Sequence, residues 1–215
     1  MDHATFMKWQ RREELANSLT HGFGTALSVA ALVVMVVFAS LHGTARHIVG
    51  AAIFGSGLVL LYLLSTIYHA LPPSPAKRVF HVLDHAGIFL LIACTYTPLC
   101  LGTLQGPWGW TLFGIVWGLA VVGIALKASL FHRLLWISTV IYLLMGWTVV
   151  IALAPLVRRM PVGGLMWLFG GGLFYSGGVI FYRWHKLHYH HALWHLFVLA
   201  GSACHVACVL KFVIP

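Results

Sequence analysis

Residues 48–70 read IVGAAIFGSGLVLLYLLSTIYHA, an uninterrupted apolar run that closes on Ser65-Thr-Ile-Tyr-His69. A helix crosses a hydrocarbon core in about 20 such residues. Six further runs of similar length lie at 19–41, 83–103, 107–127, 132–153, 162–183 and 191–213. With 60% hydrophobic and only 8% charged residues, the chain has no means of covering itself with a water-soluble surface. Where water is absent a helix satisfies its own backbone groups, so every run is expected to be helical. The sequence therefore predicts an all-α integral membrane protein, a seven-transmembrane helix bundle. It is read as a single domain over 1–215, with residues 1–18 as an N-terminal segment ahead of the first crossing.

The joints carry the residues that break helices: Pro72, Pro73 and Pro75 after the second run, Gly106-Pro107 before the fourth, and Pro155 and Pro161 around the loop after the fifth. The first run is too long for a signal-peptide core and is taken as a retained helix. Orientation follows from the cations. With the N-terminus inside, Lys8, Arg11, Arg12, Lys77, Arg78, Lys127, Arg133, Arg183 and Lys186 face the cytoplasm, against Arg46, Arg158, Arg159 and Lys211 outside. That asymmetry favours a cytoplasmic N-terminus and an outer C-terminus in the plasma (inner) membrane, with multiple passes. The formal charge of +9 then marks helix ends and anionic headgroups rather than a nucleic-acid surface.

Seven crossings return His191-Ala-Leu-Trp-His195, at the head of the last run, to the same side as His69. Residues four apart share a helix face, so His191 and His195 can hold one metal ion together, with His69 as the third ligand from another helix. Three protein ligands leave a position for water, the pattern of a catalytic zinc site. Zinc lowers the pKa of such a water from 15.7 toward about 7. Asp84 is the only acid beyond residue 14. It can bond that water and carry its proton, while Ser65, one turn before His69, can donate to a developing oxyanion. The chemistry expected is hydrolysis of an amide or ester that arrives from the lipid.

Plainer roles compete with each of these. A carboxylate within the membrane costs roughly 2.5–3.5 kcal/mol at a helix centre and less at an edge, so Asp84 needs a partner. Lys77 or Arg78 would serve, or Asp84 could cap the third helix. Ser65 can bond its own helix backbone. Paired histidines at a membrane edge can be interfacial residues, and His81 or His85 could replace one of the proposed ligands. Iron, nickel or copper would accept the same nitrogens as zinc.

The pattern Ser65-x-x-x-His69, Asp84 and His191-x-x-x-His195 resembles the progestin and adipoQ receptor family. The surrounding text, Glu14-x-x-Asn17-x-x-x-His21-Gly22, Asp84-His85-Ala86-Gly87-Ile88 and Thr95-Tyr96-Thr97-Pro98, is similar to its bacterial branch, the haemolysin III proteins. The resemblance runs over residues 13–213. It implies seven helices with a cytoplasmic N-terminus, zinc on His69, His191 and His195, Asp84 at the zinc-bound water and Ser65 beside it. It also implies a ceramidase-like activity in membrane lipid homeostasis, as in the alkaline ceramidases that share these motifs. The short N-terminal segment argues against hormone binding.

Other residues are assigned smaller parts. Glu14, Asn17 and His21 share one helix face and form either a polar cluster near the metal or a capping and headgroup contact. His205 is expected to be a hydrogen-bonded interior histidine, and His185, His188 and His190 solvated loop residues. Cys94, Cys100, Cys204 and Cys208 show no Cys-x-x-Cys spacing and suggest buried small residues without disulfides. Gly114-x-x-x-Gly118, Gly170-Gly171-Gly172 and Gly177-Gly178 suggest close internal packing, with a homo-oligomer as a further outcome. Trp108, Trp110, Trp136 and Trp184 suit an interfacial belt. Three functions then stand in order: a zinc-dependent lipid hydrolase, a membrane-lipid or fluidity sensor or receptor in which zinc only ties helices together, and a pore-forming haemolysin. The pore ranks last because the inner parts of the helices offer few polar residues.

Overall fold

The computed structural model describes residues 3–130 and 135–215, with side chains from Trp9 to Ser129 and from Ile137 onward. Lys8 and Trp136, as side chains, and Arg133 altogether lie outside the described residues. Among the described residues all regular structure is helical, and seven helical stretches are long and apolar enough to cross a membrane. They are α1 (His3–His42), α2 (Ala45–Ala70), α3 (Pro75–Pro98) with a π-helical extension Leu99–Leu104, and α4 (Gly106–Leu130). The fifth crossing is broken into α5 (Leu135–Gly146), a 3-10 segment Trp147–Ala152 and α6 (Leu153–Arg159). It is followed by α7 (Val162–Arg183) and α8 (His190–Cys208), the last ending in a π-turn Val209–Val213.

Two helices begin earlier than the apolar runs suggest, and both differences position the site. α1 extends back through Trp9–Glu14, because no proline and no glycine before Gly22 interrupts it, and these residues are mostly good helix formers. α3 begins at Pro75 rather than near residue 83. Ser74 caps it, its Oγ accepting the Lys77 backbone N–H at 3.1 Å, and Pro75 occupies the first turn, where a missing N–H costs nothing. Asp84 is therefore more than two turns inside α3, and the capping role considered for it falls to Ser74.

Packing is inverted relative to a water-soluble bundle. On α1, Leu19 and Phe23 are each 63% exposed, while His21 between them is 2% exposed. Apolar side chains face outward to lipid, and the polar ones, Asn17, His21, Ser28, Ser65, His69, Asp84 and His195, are buried. α2 and α3 approach closely because Gly50 stands where a Cβ would come 2.8 Å from the Pro98 Cα, and Gly57 where one would meet the Cys94 side chain. Gly114 and Gly118 do not pack internally as expected. Both face open space, so that part of α4 presents a smooth outer surface. The four cysteines are buried and unpaired with one another. Trp108, Trp110 and Trp184 are exposed, as an interfacial belt requires.

Lys127 departs from its expected place. It was counted among the cytoplasmic charges, but its side chain turns into the bundle, is 1% exposed and donates to Ser138 Oγ at 3.3 Å. A long aliphatic stem lets a lysine near a helix end take either course, and here the inward one is followed.

Tyr96 on α3 braces the break in the fifth crossing. Its hydroxyl donates to the Gly146 carbonyl at 2.5 Å and accepts the Val149 N–H at 2.8 Å, tying the last residue of α5 to the middle of the 3-10 segment. Replacing Tyr96 by Phe removes the acceptor that Val149 N–H uses in a buried setting. The expected loss is about 1–3 kcal/mol, read as a lower thermal unfolding midpoint of the purified protein in detergent. An unchanged midpoint would show that the brace carries no stability.

Candidate metal centre

Three elements bring the site together at one end of the bundle. His69 lies one residue from the end of α2, His191 and His195 occupy the first turns of α8, and the N-terminal half of α1 packs beside both. One ligand nitrogen from each of His69, His191 and His195 lies within 4.8 Å of the other two. The ring centroids are 4.6 Å apart for His191 and His195, 5.0 Å for His69 and His191, and 5.2 Å for His69 and His195. Nitrogens at 2.0–2.1 Å from a tetrahedral zinc would be about 3.4 Å apart, so small ring movements would close this set onto an ion.

The Nε2 atoms of all three rings are buried and make no hydrogen bond. Buried polar atoms almost always find partners, so three orphaned nitrogens facing one another fit a metal cation. The opposite nitrogens are tied down. His69 Nδ1 donates to Glu14 Oε2 at 3.3 Å, and Lys77 Nζ holds the same oxygen at 2.6 Å. His195 Nδ1 lies 3.0 Å from Thr20 Oγ1, whose own proton goes to the Ala16 or Asn17 carbonyl, each at 2.9 Å. Thr20 must therefore accept from His195. In both rings the proton sits on Nδ1 and the Nε2 lone pair points inward, the arrangement by which outer groups orient metal-binding histidines.

His21 stacks on His195 with centroids 3.4 Å apart and planes at 14°, and both its ring nitrogens are buried without a hydrogen-bond partner. Glu14, Asn17 and His21 thus form a polar face against the histidine cluster, not a headgroup contact. Asp84 is not among the clustered ligand atoms. It is 5% exposed, within side-chain reach of Ser65 and close to His69, and it lines a cavity. Ser65 is 1% exposed, and its Oγ makes no hydrogen bond of ordinary geometry. Lys77 pairs with Glu14 and not with Asp84, and Arg78 is exposed. His85 Nδ1 lies 3.6 Å from Asp84 Oδ2, and the buried Lys127 adds a positive charge that acts on the same carboxyl.

His81 and His85 do not join the cluster. His81 stacks on Tyr68, with centroids 4.8 Å apart, and His85 Nδ1 bonds the His81 carbonyl at 3.0 Å. His205 is the interior histidine expected of it, with Nε2 donating to the Leu168 carbonyl at 3.0 Å. His185 and His188 are exposed, whereas His190 begins α8 and bonds the Phe181 carbonyl at 3.2 Å.

The cavity beside the cluster runs inward from His21, Asp84 and His85 to Trp147, Leu168 and His205, and its walls are mostly aliphatic and aromatic. Comparison with known proteins bears on what this arrangement belongs to. Residues 9–206 match the family described as Haemolysin-III related. The chain belongs to the haemolysin-III-related family. It is 46% identical over 204 residues to "Hemolysin-3" of Bacillus cereus, which covers 95% of this chain and 93% of that protein. It is 47% identical over 201 residues to "Hemolysin-3 homolog" of Bacillus subtilis (strain 168), with 94% of each chain covered. A more distant relative, "Monocyte to macrophage differentiation factor" of Homo sapiens, is 28% identical over 207 residues, or 93% of this chain and 84% of that one. With this family and seven apolar crossings, the chain is a multi-pass integral membrane protein, consistent with a bacterial plasma membrane.

For this haemolysin III family member, Thr20 and Lys127 are the site-end residues that sequence reading missed. Thr20 sits one residue before His21 with no pattern of its own. Its replacement by Val keeps the shape but removes the hydroxyl that accepts from His195 Nδ1–H. Metal affinity is expected to fall about 10–100-fold, measured by chelator competition on purified protein. An affinity within twofold of wild type would remove Thr20 from the support of the cluster.

Proposed function

We propose that this protein is a zinc-dependent hydrolase that cleaves an amide or ester in a membrane lipid, ceramidase-like in chemistry, and that it serves membrane lipid homeostasis. The observation that carries the proposal is the convergence of three orphaned imidazole nitrogens next to a mostly apolar cavity whose lining includes the buried carboxyl of Asp84. His69, His191 and His195 would hold the ion, and the protons fixed on the far nitrogens of His69 and His195 leave two of the three Nε2 lone pairs committed to it. Bound zinc would supply Lewis acidity, lowering the pKa of water from 15.7 toward about 7.

The chain's own groups then divide the work. The apolar cavity takes an acyl chain and excludes water from it, so the scissile carbonyl is presented at the polar end. Asp84 accepts the proton of the attacking water as the C–O bond forms, and passes it to the departing nitrogen or oxygen as the C–N or C–O bond breaks. The products are a fatty acid and an amine or alcohol. Ser65 Oγ–H, buried beside Asp84, donates to the carbonyl oxygen as it gains charge. A sensor or receptor built on a structural metal would use the same ligands, since they join α2 to α8. Such a role would leave Asp84 and Ser65 without a task. Pore formation finds less support, because the cavity wall beyond Asp84 is chiefly apolar.

The purified protein is expected to carry about one zinc per chain, a stoichiometry that follows from a single three-ligand site. Either His191→Ala or His195→Ala should lose it. Asp84→Asn should keep the metal and lose turnover, followed as fatty acid freed from a lipid extract by mass spectrometry. Equal fatty-acid release from Asp84→Asn and wild type sinks the catalytic assignment. A zinc-loaded wild type that frees no product from any lipid class would favour the sensor.

A further inference from the structure

The end of the bundle remote from the histidines holds a second concentration of charge that the hydrolase does not use. Arg46 opens α2, Arg158 and Arg159 close α6, and Lys211 lies in the final π-turn; all are exposed. Arg46 and Arg159, 113 positions apart in sequence, converge on one residue of the turn between α3 and α4. Arg46 Nη1 donates to Gln105 Oε1 at 3.3 Å and Arg159 Nη1 to the Gln105 carbonyl at 3.2 Å. Gln105 is itself braced, its Nε2 donating to the Gly102 carbonyl at 2.7 Å, and it holds a φ of 32° that sets the turn.

Two guanidinium groups are thus gathered over a neutral residue. Of the four acids in the sequence, Glu13, Glu14 and Asp84 lie at the histidine end and Asp2 precedes α1. Arg159 and Lys211 at least stand near helix C-termini, where a cation is favoured. Arg46 stands in the first turn of α2, at the positive end of the helix dipole, and that turn contains no acid. The first turns of α4 and α7, at the same end, also lack an acid. Each term has the same sign, and all call for an external anion with several acceptor oxygens. Trp108 and Trp110, 44% and 62% exposed on the first turns of α4, set this end at headgroup depth.

We infer that Arg46 and Arg159, positioned by Gln105, form a binding site for the phosphate of an anionic phospholipid headgroup. Guanidinium forks match phosphate oxygens in pairs, and an anion between the two would relieve their mutual repulsion. Lys211, which lies over the Trp167 ring at 5.9 Å, adds to the attraction from the same face of the membrane.

The test uses the full-length, metal-loaded protein purified in detergent and supplemented in turn with phosphatidylglycerol, phosphatidylcholine or millimolar inorganic phosphate. Thermal unfolding and native mass spectrometry are the readouts. Phosphatidylglycerol is expected to raise the unfolding midpoint and to remain as a bound adduct, while the other two additions leave both readouts unchanged. Arg46→Gln combined with Arg159→Gln should weaken phosphatidylglycerol retention about thirtyfold, the effect of two cations at a lipid surface. Arg183→Gln, at the opposite end of the bundle, should retain it. Equal retention of phosphatidylcholine, a response reproduced by inorganic phosphate, or an undiminished adduct in the double variant would each overturn the assignment. The comparison of lipids on wild type decides the matter even where the double variant fails to fold.

Discussion

An imidazole nitrogen taken out of water without a hydrogen-bond partner is unfavourable, and this chain does it at each of the three candidate ligands and again at His21 stacked on His195. Leaving a buried polar group unsatisfied costs about 1–3 kcal/mol, so His69, His191 and His195 together represent a deficit that the surrounding bundle must either carry or have neutralised. The remainder of the site is arranged around that deficit. Glu14 and Thr20 fix ring protons on the far side of two of the rings, and Lys77 holds Glu14 in place. The inverted packing of α1, with leucine and phenylalanine outward and asparagine and histidine inward, supplies the polar wall.

The same constraint gives the two ends of the molecule different chemistry. At one end buried polar atoms face one another and leave a cavity between them. At the other the charges are exposed, of one sign, and held by a turn whose only contribution is a neutral amide. An apolar middle separates them, interrupted at the fifth crossing by a 3-10 segment that Tyr96 closes. That segment lines the cavity through Trp147 and Val149 on its inner side, while Val150 and Ile151 face outward.

Much of this could be read from the residues alone. Seven apolar runs, separated by Gly and Pro, dictate seven crossings, and the four crossings between His69 and His191, an even number, bring the two motifs onto one side. The i,i+4 spacing of His191 and His195 then fixes a shared face. What escaped reading depended on directions that composition does not encode. Ser74-Pro75 is a helix start, yet three prolines in four residues look like a loop. Lys127 near a helix end has the same sequence signature whether it turns to lipid headgroups or into the bundle. Thr20 is one hydroxyl among many, and only the rotation of α1 against α8 makes it an acceptor for His195. The glycines of α4 have the spacing of a packing motif but face outward.

The cluster is assembled from the start of the first helix, the end of the second and the start of the last. During synthesis α1 and α2 are in the membrane long before α8 emerges, so for most of that interval His69 has only its tie to Glu14, and His21 has nothing to stack upon. The final insertion step supplies two of the three rings at once. An ion held by these three rings would therefore be captured only once α8 is in place, and a chain inserted only as far as α7 would present a single imidazole of this set.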